Sequence, residues 1–98
     1  MSNFSVIELE PIPFQRIQFN HQDDDYYVEI RQLGEWLYTS TEVNGEVVTH
    51  NIRATNEGRL VPYPNANVKT VVRWIDVMGD QDPQYEGLGT RWFLELEE

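Results

Sequence analysis

Over residues 90–97 the apolar side chains Trp92, Leu94 and Leu96 alternate with Arg91, Phe93, Glu95 and Glu97. A period of two sends successive side chains to opposite faces, so this stretch predicts a strand with one buried and one outer face. The same alternation recurs upstream. Val6 opposes Ile7 and Leu9 in residues 4–10, Ile17 and Phe19 oppose Arg16 and Gln18 in 14–20, and Tyr26, Val28 and Ile30 oppose Tyr27, Glu29 and Arg31 in 26–32. Pro11 and Pro13 break the first two apart as a corner, because proline cannot donate to a ladder. The polar run 21–25 predicts a turn that folds the next two into a hairpin, and Leu33-Gly34 ends the third.

A fourth strand from Trp36 leads to Asn44-Gly45, the strongest turn signal in the chain. Asn-Gly supplies the two φ > 0 positions of a type I′ turn, so residues 36–52 are expected to form a second hairpin. Residues 54–67 have no period. An unstructured stretch of about 12–15 residues is uncommon in a compact domain and points to a binding or interface loop. For residues 68–78 the β-branched and aromatic content favours a strand, while Val68, Val71, Val72 and Ile75 also fit helical spacing. The loop 79–89 then gathers Gly, Asp, Gln and Pro before the terminal strand. The sum is about six to seven short strands. The predicted fold is all-β, a small antiparallel β-sandwich or partly open barrel, with residues 1–98 forming a single domain and with neither a linker nor a repeat.

Composition narrows the function. The chain is 40% hydrophobic and 12% aromatic, enough to fill one core, and it contains no cysteine, which removes disulfides and thiolate metal sites. No apolar run reaches the roughly 18–20 residues of a membrane span, and the N-terminal residues show no signal-peptide pattern. Seventeen acids against seven bases leave a net charge of −10. That charge keeps a small domain monodisperse by self-repulsion, opposes contact with nucleic acid phosphate and anionic membrane, and would suit a basic partner surface. It is concentrated at Asp23, Asp24 and Asp25 and at Glu95, Glu97 and Glu98. Three adjacent aspartates cannot be buried without cations to pair them, so Asp23 to Asp25 are expected on an exposed rim or a partner contact.

Candidate chemistry adds little. His21 and His50 stand far apart, and neither has a nucleophile or paired carboxylate at a recognised spacing. Asp80 and Asp82, with Asp76, offer oxygens to calcium but lack the run of alternating ligands that ends in a bidentate Glu. Gly87-Leu88-Gly89-Thr90 lacks the Lys-Ser/Thr and the following helix of a phosphate loop, so its glycines are expected to serve a tight turn. Without interleaved Lys and Arg, the aromatics read as core and not as base-stacking platforms. The expectation is a protein without catalysis, cofactor or metal. One class compatible with this is an acidic binding module of the DNA-mimic type.

The segments IELEPIPFQRI (7–17) and EGLGTRWFLEL (86–96), the Asn44-Gly45 hairpin after the Trp36 strand, and the Pro-rich loop together resemble the baseplate plug family of contractile-tailed cyanophages. The likeness runs from Ile7 to Leu96 and centres on Leu88-Gly89-Thr90. It implies a virion structural protein of the tail baseplate, assembled in the host cytoplasm, touching hub, tail tube or spike proteins and standing as one of several copies in a symmetric ring. It carries over no catalytic residue. Tyr63, flanked by Pro62 and Pro64, and Phe93, opposite Trp92, are too apolar for both to stay wet, so they are expected, with the acidic run, at the interfaces. The loop 54–67 and main-chain pairing along the terminal strand would carry much of that contact.

Overall fold

The computed structural model of the chain describes residues 4–62, 68 and 70–97. Its strands are β1 (Phe4–Ile7), β2 (Phe14–His21), β3 (Asp24–Leu33), β4 (Trp36–Val43), β5 (Glu46–Arg53), β6 (Val71–Asp76) and β7 (Trp92–Glu97), with one 3₁₀ turn at Tyr85–Gly87. They form two antiparallel sheets, one of three strands in the order β1-β7-β6 and one of four in the order β2-β3-β4-β5. The result is an open two-layer sandwich and not a closed barrel. Residues 71–76 are strand, so the helical spacing of the valines has no structural counterpart. Val72 and Trp74 are buried by alternation.

The four-stranded sheet is a meander joined by tight turns. Asn44 and Gly45 have φ of 53° and 83°, as the predicted type I′ turn requires. The first turn is shorter than the polar run 21–25 suggested. Pairing continues to His21↔Asp24, which leaves Gln22 and Asp23 as a two-residue loop with φ of 52° and 68°. Cross-strand packing decides this. Tyr26 is buried and stacks on Phe19 across the ladder, with ring centroids 5.0 Å apart. Once that pair sets the register, Asp24 and Asp25 belong to β3 and His21, expected on the turn, ends β2 as a buried residue. The third strand likewise runs through Leu33 and turns at Gly34, whose φ is 65°.

The core lies between the sheets. Val28, Ile30 and Leu37 from one inner face meet Trp74, Leu94 and Leu96 from the other. Each buried aliphatic side chain here contributes on the order of 1.5–3 kcal/mol. A second cluster, Tyr26, Val43 and Val48, closes one end. The corner after β1 is clamped by the buried Gln15 amide, which donates to the Glu10 carbonyl (2.7 Å) and accepts from the Glu10 N–H (3.1 Å).

Two expectations change here. β7 is the middle strand of its sheet, hydrogen-bonded to β1 and β6, so it has no edge to offer a partner. Part of the loop 54–67 is also ordered cover. Leu60 N–H donates to Val72 O and Trp74 N–H to Gly58 O, both at 2.9 Å, while Ala54 and Leu60 are buried. This segment shields the outer edge of β6. The edge of β5 is blunted differently, by register shifts that bulge it and by Asn51 at a φ of 50°. Among the described residues, β1 and β2 keep regular open edges.

Candidate interaction surfaces

Strand alternation gives the three-stranded sheet an apolar outer face. Trp92, Leu94 and Leu96 point into the core, so Phe93 and Glu95 point away from it, as do Val71, Arg73 and Ile75 on β6 and Val6 on β1. Phe93 lies opposite Ile75 in the ladder, and Val6 lies opposite Glu95. At the centre, Arg73 Nε and Nη2 donate to Glu95 Oε1 at 3.2 and 3.1 Å, which neutralises the only charges that alternation places there among the described side chains of β6 and β7. Val6 is 53% exposed, and beyond β6 Val77 and Met78 are 56% and 69% exposed. A two-layer sandwich normally turns polar side chains to water on its outer faces. Here Val6, Val71, Ile75 and Phe93 do the opposite.

The acidic run lies at one end of the four-stranded sheet, where the turns 22–23 and 44–45 are stitched side by side. Asn44 Nδ2 donates to Asp24 Oδ1 (3.0 Å), Asp25 N–H donates to Asn44 Oδ1 (2.9 Å), and Asn20 Nδ2 donates to Asp25 Oδ1 (2.9 Å). Asp23 and Asp25 are exposed and Asp24 is half-buried. Glu42 and Glu46, which flank the second turn, add to this acidic rim. Of the other predicted contact residues, Pro62 is exposed, Phe93 is half-buried on the outer sheet face, and Tyr63 and Pro64 lie outside the described residues.

The loop 79–89 is tied down by a pair that residue spacing did not reveal. Asp76 Oδ1 accepts from Arg91 Nε (2.8 Å) and Met78 N–H (2.9 Å), and Oδ2 accepts from Arg91 Nη2 (2.9 Å) and Gln81 N–H (2.9 Å). The Arg91 hydrogen bonds hold the Asp76 carboxyl well below the usual carboxylate range, with the Gln81 and Met78 amides assisting and burial opposing. The same pair raises the Arg91 guanidinium. A signal existed, since Asp76 is in phase with the inward Val72 and Trp74 and therefore had to find a partner.

In this geometry the aspartates offered to calcium are bonded within the chain. Asp76 is saturated, and Asp82 accepts from Arg53 Nη2 and from Asn56 N–H, both at 3.0 Å. Among the described residues, no group of three or more His, Cys, Asp or Glu converges as a metal site. The Gly-rich turn before β7 is structural. The Arg91 N–H donates to Gly87 O (2.8 Å), and Gly89 has a φ of 85° with its α-carbon turned onto the Leu9 carbonyl. No helix among the described residues is long and apolar enough to cross a membrane.

No protein-family model matches the chain, and no curated protein sequence matches it.

Proposed function

We propose that this chain is a non-catalytic structural component of a bacteriophage tail baseplate, one of several copies that plug or adapt the central hub to the tail tube. The observation that carries the reading is the outer face of the three-stranded sheet, where Val6, Val71, Ile75 and Phe93 surround a self-neutralised Arg73–Glu95 pair. Such a face gains by being covered, and neither a nucleophile nor a cofactor is needed for that role. The open edge of β1 supplies main-chain donors and acceptors beside it, and β2 keeps a second open edge on the other sheet, so edge pairing falls to these strands and not to β7. The resemblance in residues 7–17 and 86–96 supplies the assembly, and the net charge of −10 keeps a conducted DNA backbone from sticking.

The test is cryo-electron microscopy of tails, with native mass spectrometry of the chain against candidate hub and tube proteins. Density for a ring of copies, with Phe93 covered, is the expected result. A monomer that is missing from the particle and binds neither protein overturns the proposal. The stitched acidic rim of Asp23, Asp24, Asp25, Glu42 and Glu46 then favours the second reading, an acidic module that occupies a basic groove.

A further inference from the structure

Of the two regular open edges, the eight-residue β2 is the longer, and its main chain can be followed residue by residue. The two-residue turn at Gln22 and Asp23 makes His21↔Asp24 a hydrogen-bonded pair, so the odd-numbered residues of β2 direct their N–H and C=O groups at β3. Two further bonds agree. Gln32 N–H donates to Pro13 O (2.8 Å), which continues the odd positions, and Asn44 N–H donates to Asp25 O (2.8 Å), so the residue opposite Asn20 turns away from β2. The even-numbered Phe14, Arg16, Gln18 and Asn20 therefore aim their main-chain groups at the open edge. All four are exposed, and among the described residues no other segment bonds to them there.

We propose that this edge pairs with the same edge of a second copy, antiparallel about a two-fold axis at Ile17, so that two four-stranded sheets become one. The proposal deepens the assembly reading and rests on it only for the presence of neighbouring copies. Residues directly opposite in an antiparallel pair share a face, so the exposed even-numbered residues must meet one another. With Ile17 on the axis, Phe14 meets Asn20 and Arg16 meets Gln18 of the second copy, which pairs all four outward residues. The half-buried Ile17 and Phe19, at the margin of the core, are covered by the same contact.

Charge selects a second copy as the partner. At one end of the outer face of this sheet, Arg16 and Arg31 lie over the Phe14 ring, at 5.3 and 5.4 Å from its centroid, and share the one carboxylate of Glu29. The opposite end is acidic, with Asp23, Asp24, Asp25, Glu42 and Glu46. Antiparallel pairing lays the cationic end of each copy beside the acidic end of the other. The net charge of −10 opposes association, but charges more than about 8 Å apart are largely screened at physiological ionic strength, so the adjoining ends decide. The usual guards are missing as well. Neither a proline nor a bulge interrupts β2, and its one formal charge, Arg16, is held over Phe14 on the outer face.

The experiment is sedimentation equilibrium of the purified chain, with amide hydrogen exchange followed by NMR at low and high concentration. A dimer should form, and the amides of Arg16, Gln18 and Asn20 should gain about tenfold protection as it does, while those of Ile17 and Phe19 are protected throughout. Gln18→Pro removes an N–H that no strand of the same chain uses, so it should weaken the dimer about tenfold. The chain has no cysteine, and a non-hydrogen-bonded pair on the axis sets its α-carbons about 4.5 Å apart, so Ile17→Cys should oxidise to a covalent dimer much faster than Val47→Cys on the bulged edge. Should Gln18→Pro fail to fold, the two cysteine variants decide. The proposal is overturned if the chain stays monomeric at millimolar concentration, if Gln18→Pro leaves the dimer unchanged, or if both cysteine variants crosslink equally. Loss of the dimer leaves the baseplate reading on the three-stranded sheet and β1, whereas a dimer that is missing from tails overturns that reading and leaves this one.

Discussion

Two glycines with positive φ separate conformational cost from steric cost. At Gly45 an added Cβ meets nothing within 4 Å, whereas at Gly89 it would stand 2.0 Å from the Leu9 carbonyl oxygen. Gly45→Ala should therefore lose only the left-handed penalty of about 1–2 kcal/mol. Gly89→Ala adds a clash with backbone that cannot rotate away, worth about 1–3 kcal/mol more. Urea unfolding of the two variants side by side checks the order, and equal losses would refute the contact. At Asp76 the relevant variable is pH. Its folded pKa is depressed below the ordinary 3.8, so the stability it supplies is fully present above that value and is lost as pH falls through the folded one. Asp76→Asn should accordingly be less stable than the native chain at neutral pH, with the gap closing in the acid range below 3.8. A gap independent of pH would show that packing, not charge, ties the loop. Asp24 and Asp25 differ from Asp76, because their carboxylates accept from side-chain amides and not from a guanidinium, and Asp23 is exposed. Replacing all three by Asn should leave the thermal transition within about 0.5 kcal/mol of native.

At the scale of elements, the sheet edges are treated unequally. β6 is covered by residues 57–60, β5 is bulged, and β1 and β2 are left regular. Leu60 anchors the cover and is buried, so Leu60→Ala should cost about 2–5 kcal/mol and also speed hydrogen exchange along β6. Exchange in the native chain should be slowest in β7, β3 and β4, which are paired on both sides, and fastest at the four-residue β1. Rapid exchange in β7 would contradict its central position.

The whole molecule combines an ordinary two-sheet core with an apolar outer face that folding alone does not explain. Phe93 is half-buried there, so Phe93→Glu should change stability by about 1 kcal/mol or less. On the proposed baseplate reading, its effect falls on assembly. Mass spectrometry of purified tails should find the variant depleted from the particle although the free chain remains folded. Normal incorporation of Phe93→Glu would remove this face from the interface.

Much of the fold is written in local chemistry. Alternation marks the strands because a strand's faces are set by backbone pleat alone, and Asn44-Gly45 sets its turn because few other residue pairs accept two left-handed positions. All-β character, buried Trp92, Leu94 and Leu96, and the lack of a recognised catalytic spacing are legible there without any partner. What tertiary structure decided depends on residues far apart in sequence. That β7 would lie between β1 and β6, that residues 57–60 would cover β6, and that Asp76 would meet Arg91 all follow from which faces can be buried together. The first turn was decided by packing at short range, within one hairpin. Five polar residues suggested its place, but Phe19 stacked on the buried Tyr26 set the register and left only Gln22 and Asp23 to turn, because that packing outweighs the preference of aspartates for a loop.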